Sequence, residues 1–255
     1  MPDPSLVAIM QAAARTAGVD VENSFNQIVD LNLQGGGLCT GLATVWLDQL
    51  ERGDGSSFLA TVKASPQTPD SIRGKVQDWH ANQHDAQKPW FQKDGLVQSS
   101  KEKTFEMNVR MEYRDRETLD AHYALPDDPV TGRKPEISDP TGKFPIASQN
   151  FNEMVEWLNK TTMKRRFFLI NTKQSGTVAG HTMAAAKNRS GLIRFFDPNG
   201  GIVSAWMASK MARFMREYFS TRKVFWAYRK RGTAKLELDV EKYYASNWGP
   251  GSREE

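Results

Sequence analysis

The chain has 255 residues, 39% of them hydrophobic and 25% charged, with a formal net charge of +4. That is the composition of a soluble globular protein, long enough for one large domain or two small ones, and no run approaches the roughly 18 consecutive apolar residues of a membrane helix. The one cysteine, Cys39, excludes an internal disulfide and any zinc site built on several thiolates, and a reducing working compartment is the simplest reading.

The first residues, Met1-Pro2-Asp3-Pro4-Ser5, lack the charged and long apolar regions of a classical secretory signal. Residues 6–16 repeat apolar side chains at helical spacing and predict a helix. Residues 20–33 alternate without fixing the element type. Residues 38–51 predict a second helix. Leu42, Val45, Trp46 and Leu50 lie at i, i+3, i+4 and i+8 and form one apolar stripe, and Gly53-Asp54-Gly55 ends it. Residues 72–87 predict a helix, and residues 101–123 fit either helix or strand. Residues 125–148 are dense in proline and glycine and predict a long surface loop or an interlobe crossing.

The last third is more regular. Residues 151–160 predict a helix and residues 166–171 a strand. Two strands, 177–187 and 191–196, flank the turn at Asn188-Arg189-Ser190-Gly191. Residues 202–219 predict an amphipathic helix, with Trp206, Met207, Met211, Phe214 and Met215 expected to pack on the sheet. Residues 224–230 and 235–240 predict two more strands. The order implies an α+β fold in a single domain, residues 1–255. An N-terminal helical part carries Cys39, and a largely antiparallel C-terminal sheet carries His181 and Asp197. Residues 1–37 would be a translocation signal, a processed segment or part of the fold.

Cys39 follows Gly35-Gly36-Gly37-Leu38 and begins the apolar stretch Thr40-Gly41-Leu42. This places a thiol at the first turn of a helix, where unpaired N–H groups and the helix dipole favour thiolate, the nucleophilic form. A cysteine nucleophile needs a base to hold the thiolate and protonate the leaving group. His181 supplies one near neutral pH. The imidazole in turn needs an acceptor on its other nitrogen, the role expected of Asp197. If His181 and Asp197 end neighbouring antiparallel strands, the turn between them brings their side chains together. Oxyanion donors would be the backbone N–H of Cys39 and the side chain of Gln34 or a backbone N–H of residues 35–37.

Gly37-Leu38-Cys39-Thr40-Gly41-Leu42 with Trp46-Leu47, Gly180-His181-Thr182-Met183-Ala184, and Phe195-Phe196-Asp197-Pro198-Asn199-Gly200 together resemble the motifs of the YopT-type cysteine proteases, a papain-like group of bacterial effectors. The resemblance spans three short windows and does not extend across residues 54–148. It implies a papain-like fold and peptide-bond cleavage by a Cys-His-Asp triad without cofactor or metal. It also implies secretion by a route independent of a signal peptide, and a protein substrate inside a host or target cell. The oxyanion residue of the family lies shortly before the cysteine, the position of Gln34.

Two other functional classes fit the same residues. Glutamine deamidation, transglutamination and acyl transfer use the same acyl-enzyme, and a non-enzymatic interaction module would need Cys39 only as a small buried side chain. His80 and His84 have a zinc-compatible i, i+4 spacing, but the general-base glutamate of a metalloprotease is absent and a polar helix face suffices. No Lys-Ser/Thr follows the glycine run, which excludes a P-loop. Asn199 and Gly200 are expected only to shape a turn. Basic residues at 164–166, 213, 216, 222–223 and 229–231 form solvated faces or attract an acidic membrane surface or substrate. No motif points to nucleic acid.

Overall fold

The computed structural model describes residues 5–33, 37–81, 96–108, 142–143, 148–159, 166–172, 180–188, 190–228 and 235–245. Helix α1, Leu6–Ala17, starts at Ser5, whose hydroxyl accepts the Ala8 N–H, and stops at Gly18 in the left-handed conformation. The alternating stretch at 20–33 resolves into strand β1, Asp20–Ser24, and a short helix α2, Gln27–Asp30, capped by the Asn26 side chain. Helix α3 is Cys39–Arg52, with Leu42, Val45 and Trp46 buried and Leu50 half-buried on the expected stripe. Helix α4, Phe58–Ala64, has no counterpart in the sequence reading. Helix α5, Ile72–Ala81, occupies the first part of the stretch read as 72–87. Residues 82–87 lie outside the described residues.

Strand β2, Leu96–Asn108, decides for strand in the region where the pattern left two choices, although residues 109–123 lie outside the described residues. So does nearly all of the segment 125–148; within it, Gly142 accepts a hydrogen bond from the Arg222 N–H and Lys143 bridges to Thr221. Helix α6, Ser148–Asn159, and strand β3, Arg166–Thr172, follow as the pattern predicts. Strand β4 is Thr182–Lys187 and β5 is Ile193–Asp197. Residues 177–179, read as the start of the first of these strands, lie outside the described residues.

Two elements differ from the sequence reading. Residues 202–219 are not one helix. Strand β6, Gly201–Ala205, comes first, and helix α7, Ala208–Ser220, begins only after a bend. All five residues of β6, Ser204 included, are buried between β1 and β5, so no alternation of apolar and exposed polar residues marks the strand. The bend leaves Trp206 and Met207 exposed, whereas Met211, Phe214 and Met215 pack inward as expected. Residues 224–230 are not a strand, for helix α8 spans Arg222–Tyr228. It buries Val224, Phe225 and Tyr228 on one side, a helical spacing that tertiary packing favours over the β propensity of those residues. Strand β7, Lys235–Ala245, closes the order.

The seven strands form one sheet in the order β1-β6-β5-β4-β3-β7-β2, with every neighbouring pair antiparallel. Alternate residues face opposite sides. Phe167, Leu169, Ala184, Ala186 and Phe196 point to a core shared with α3, α4 and α5. Phe168, Ile170, Met183, Ala185 and Phe195 point to a second core shared with α1, α6, α7 and α8. The fold is thus α+β, with the helical N-terminal part carrying Cys39 and the C-terminal antiparallel sheet carrying His181 and Asp197. Helix α1 crosses behind the sheet and packs on α7, away from the cysteine helix. The backbones of α3 and α5 touch at Gly41, where an added Cβ would lie 1.9 Å from the Val76 carbonyl oxygen. Only glycine permits that approach, which fixes the start of α3 and so the height of Cys39.

Candidate active site

Strand register places the His181 and Asp197 side chains on one face. Ala184 pairs with Phe196 across β4 and β5, so residues 183 and 197 stand opposite each other, and His181 lies two residues further on the same face. The result is a hydrogen bond of 2.8 Å between His181 Nε2 and Asp197 Oδ1. Asp197 is wholly buried and His181 nearly so. Backbone contacts hold the histidine at the sheet end. Its N–H donates to Thr172 Oγ1 at 2.9 Å, and its carbonyl accepts the Thr172 N–H at 2.9 Å.

Asp197 receives three further donors. The Asn199 N–H reaches Oδ1 at 2.8 Å, and the hydroxyls of Tyr218 on α7 and Tyr228 on α8 reach Oδ2 at 2.7 and 2.8 Å. A buried carboxylate is tolerated only when so satisfied. Burial pushes the carboxyl pKa up. The charge and hydrogen bond of His181 outweigh that, together with the Asn199 N–H and the Tyr218 hydroxyl, and hold it below its ordinary value. The Tyr228 ring also stacks on the imidazole, with centroids 4.5 Å apart and planes 1° from parallel.

Cys39 is the first residue of α3, and Leu38 before it supplies no side-chain cap. The Cys39 N–H is therefore among the helix-start donors that have no acceptor within the helix. Burial raises the thiol pKa. The hydrogen bond and charge of His181, the backbone N–H of Thr182 and the Thr40 hydroxyl together bring it below the ordinary value. Burial likewise opposes a charged imidazole, but Asp197 and then Cys39 raise the His181 pKa to about 10. Since Nε2 faces Asp197, Nδ1 is the nitrogen left for Cys39. The three residues singled out by the sequence thus lie in one cluster, with His181 between Asp197 and Cys39 and lowering the pKa of both.

Two polar struts join the cysteine segment to the sheet. In the first, Thr40 Oγ1 lies 3.0 Å from Thr182 Oγ1, which donates to Asn171 Oδ1 at 2.8 Å; the Asn171 amide donates to Glu241 at 3.2 Å. In the second, the Leu38 N–H donates to Gln27 Oε1 at 2.5 Å, Gln27 Nε2 to Asn199 Oδ1 at 2.9 Å, and Asn199 Nδ2 to the Tyr228 hydroxyl at 3.2 Å. Gly37 packs flat on the Gln27 amide, with room for no Cβ. Asn199 therefore does more than shape its turn. Its backbone bonds Asp197, and its side chain links the aspartate cluster to the loop before Cys39.

Gln34, Gly35 and Gly36, read as oxyanion candidates, lie outside the described residues, as does His84. His80 stands on α5. Among the described residues, no group of three or more His, Cys, Asp or Glu side chains is placed to hold a metal ion, and no helix is long and apolar enough to cross a membrane. Sequence reasoning missed Gln27, Tyr218 and Tyr228. The usable signal was Tyr218 within the buried stripe of α7, a hydroxyl-bearing residue in a core that also holds a carboxylate.

The fold is similar to the crystal structure of the Pseudomonas avirulence protein AvrPphB, with a TM-score of 0.43 and 15% identity over 80% of this chain and 90% of that one. It is also similar to PatoxP, a cysteine protease-like domain of the Photorhabdus asymbiotica toxin PaTox, with a TM-score of 0.46 and 14% identity over 90% of this chain and 57% of that one. No curated protein matches the sequence. The Peptidase_C58 family, described as Yersinia/Haemophilus virulence surface antigen, matches residues 11–243. The chain belongs to that family, the YopT-type group of papain-like cysteine peptidases.

Proposed function

We propose that the chain is a cysteine endopeptidase acting through Cys39, His181 and Asp197. The observation that carries this reading is the 2.8 Å bond between a buried imidazole and a buried carboxylate, with the Cys39 thiol near enough to the same imidazole for its pKa to be lowered by it. The Cys39 sulfur attacks the scissile carbonyl carbon. The C–N bond breaks, and the proton on His181 Nδ1 passes to the leaving amine. Water then attacks the thioester, giving one proton to His181, and the thiolate departs as the acid product forms. Asp197 holds the ring in direction and stabilises its charge. The Cys39 N–H and Gln34 donate to the oxyanion. This chemistry calls for no cofactor or metal.

Membership of the family supports a protein substrate and action inside a host or target cell after export by a route that reads no signal peptide. The basic residues along the chain support attraction to an acidic membrane surface. Residues 1–255 would act as a single catalytic domain. Incubating target-cell protein with the wild type and with Cys39→Ala, then labelling new N-termini, tests the reading. Cleavage confined to the wild type is expected. A substrate that gains about one dalton with its chain intact would instead mark a deamidase using the same acyl-enzyme.

A further inference from the structure

The triad chemistry leaves the two tyrosines on Asp197 without a part, yet their placement acts on the proton that chemistry moves. A carboxylate offers about four lone-pair sites. In Asp197 they are filled by His181 and the Asn199 N–H on Oδ1 and by two phenol hydroxyls on Oδ2. A carboxylate held at both oxygens cannot turn Oδ1 away from the imidazole. We propose that Tyr218 and Tyr228 are positioning residues whose hydroxyls weaken the stabilisation of the imidazolium by Asp197, so that its Nδ1 can release a proton to a leaving group. This inference rests on the triad proposed above.

The direction follows from charge. A phenol bonds more strongly to a bare carboxylate than to one already paired with an imidazolium. The two hydroxyls therefore stabilise the state in which His181 has lost its proton more than the state in which it holds it. Without them, a wholly buried carboxylate would stabilise the imidazolium too strongly for efficient general-acid transfer from Nδ1. Burial and the charge of Asp197 push both phenol pKa values well above their ordinary value, so the hydroxyls remain donors. Asn199 Nδ2 donates to the Tyr228 oxygen and directs the phenol proton at Asp197. The Tyr228 ring, stacked on His181, acts in the opposite sense, because an aromatic face favours the cation. The titratable groups set against His181 and Asp197 include Cys39 from α3, Tyr218 from α7 and Tyr228 from α8.

The test is an NMR titration of the His181 Cε1–H in the full chain, assigned by its loss in His181→Gln. Tyr218→Phe and Tyr228→Phe each remove a hydroxyl and keep the ring. Both should raise the His181 pKa, by roughly half a unit or more. Uniform 3-fluorotyrosine, a stronger donor that deletes no contact, should lower it, and it keeps the test decisive should either variant fail to fold. Tyr228→Leu, lacking the stacked ring as well, should titrate below Tyr228→Phe. Folded variants in which His181 titrates as in the wild type, or lower, would overturn the inference. An ordinary His181 and an ordinary Cys39 thiol in the wild type would instead overturn the triad, whatever the tyrosines do.

Discussion

The two halves of the site are built to different standards. The histidine–aspartate half lies in the sheet and in the core behind it. Asp197 is wholly buried under four donors, the Asn199 N–H of its own turn together with His181, Tyr218 on α7 and Tyr228 on α8, and His181 is pinned by its backbone and by a stacked ring. The cysteine half is the start of a helix preceded by a glycine-rich segment. Among the described residues, Gln27 and Thr40 supply its polar ties to the sheet side. The contrast teaches that direction and charge are fixed by hydrogen bonds inside the core, whereas the sulfur is placed by the close packing of α3 on α5 and by a few replaceable hydrogen bonds. Substitutions in the first half should cost both stability and reactivity. Substitutions in the second half should cost reactivity first.

The largest effect belongs to Asp197→Ala. It strips the acceptor from two phenols, one N–H and the imidazole, so a loss of about 3 kcal/mol or more is expected by denaturant melt. A fall of at least about a thousandfold in turnover is expected as well. A near-wild-type rate would reduce Asp197 to a turn residue and erase the contrast. Gln27→Ala comes next. It frees the Leu38 N–H and the Asn199 amide oxygen, for a cost of about 1–3 kcal/mol. Its sharper signature is slower alkylation of Cys39 with the His181 titration nearly unmoved. A His181 shift as large as the change at Cys39 would show that the two halves are one unit. Thr40→Val, which keeps the shape and removes the hydroxyl that Thr182 and the Cys39 thiol compete for, should raise the Cys39 pKa modestly and change the melting temperature little.

The pH dependence separates the halves further. The folded-state pKa of His181, about 10, lies above its unfolded value of about 6.5. Its pairing therefore contributes stability that is complete below about pH 6.5 and is lost as pH rises through about 10. Asp197 is depressed, so its contribution is present above the ordinary carboxylate range and is lost as pH falls through the folded value. The stability difference between the wild type and His181→Gln should accordingly shrink at both extremes. A difference constant from pH 5 to pH 11 would contradict the ion pair.

How much of this was legible in the sequence follows from how local each signal is. Cys39, His181 and Asp197 stand out because each sits where a glycine-bearing turn meets an apolar element, and their flanks carry the family motifs. The helix at 38–51 and the strands around residues 188–191 were readable from period and turn chemistry. The β6–α7 junction was not, because a strand buried on both faces lacks the alternation that marks a strand, and its apolar residues run into those of the helix. Tyr228 was hidden for a related reason: Val224, Phe225 and Tyr228 look like a strand until packing behind the sheet selects a helix. Gln27 acts across 11 residues to Leu38 and 172 to Asn199, a span that no local pattern encodes.

The central claim is that Cys39 is held as a thiolate by His181. Its most direct test is the rate of Cys39 alkylation by iodoacetamide against pH in the full chain, with His181→Ala in parallel; the single cysteine makes the label unambiguous. The account predicts fast labelling that persists well below the ordinary thiol pKa of about 8.5 and is lost without His181. A rate that rises only through the ordinary thiol range, and is the same in both proteins, would contradict it and leave Cys39 as a small buried side chain of an interaction module.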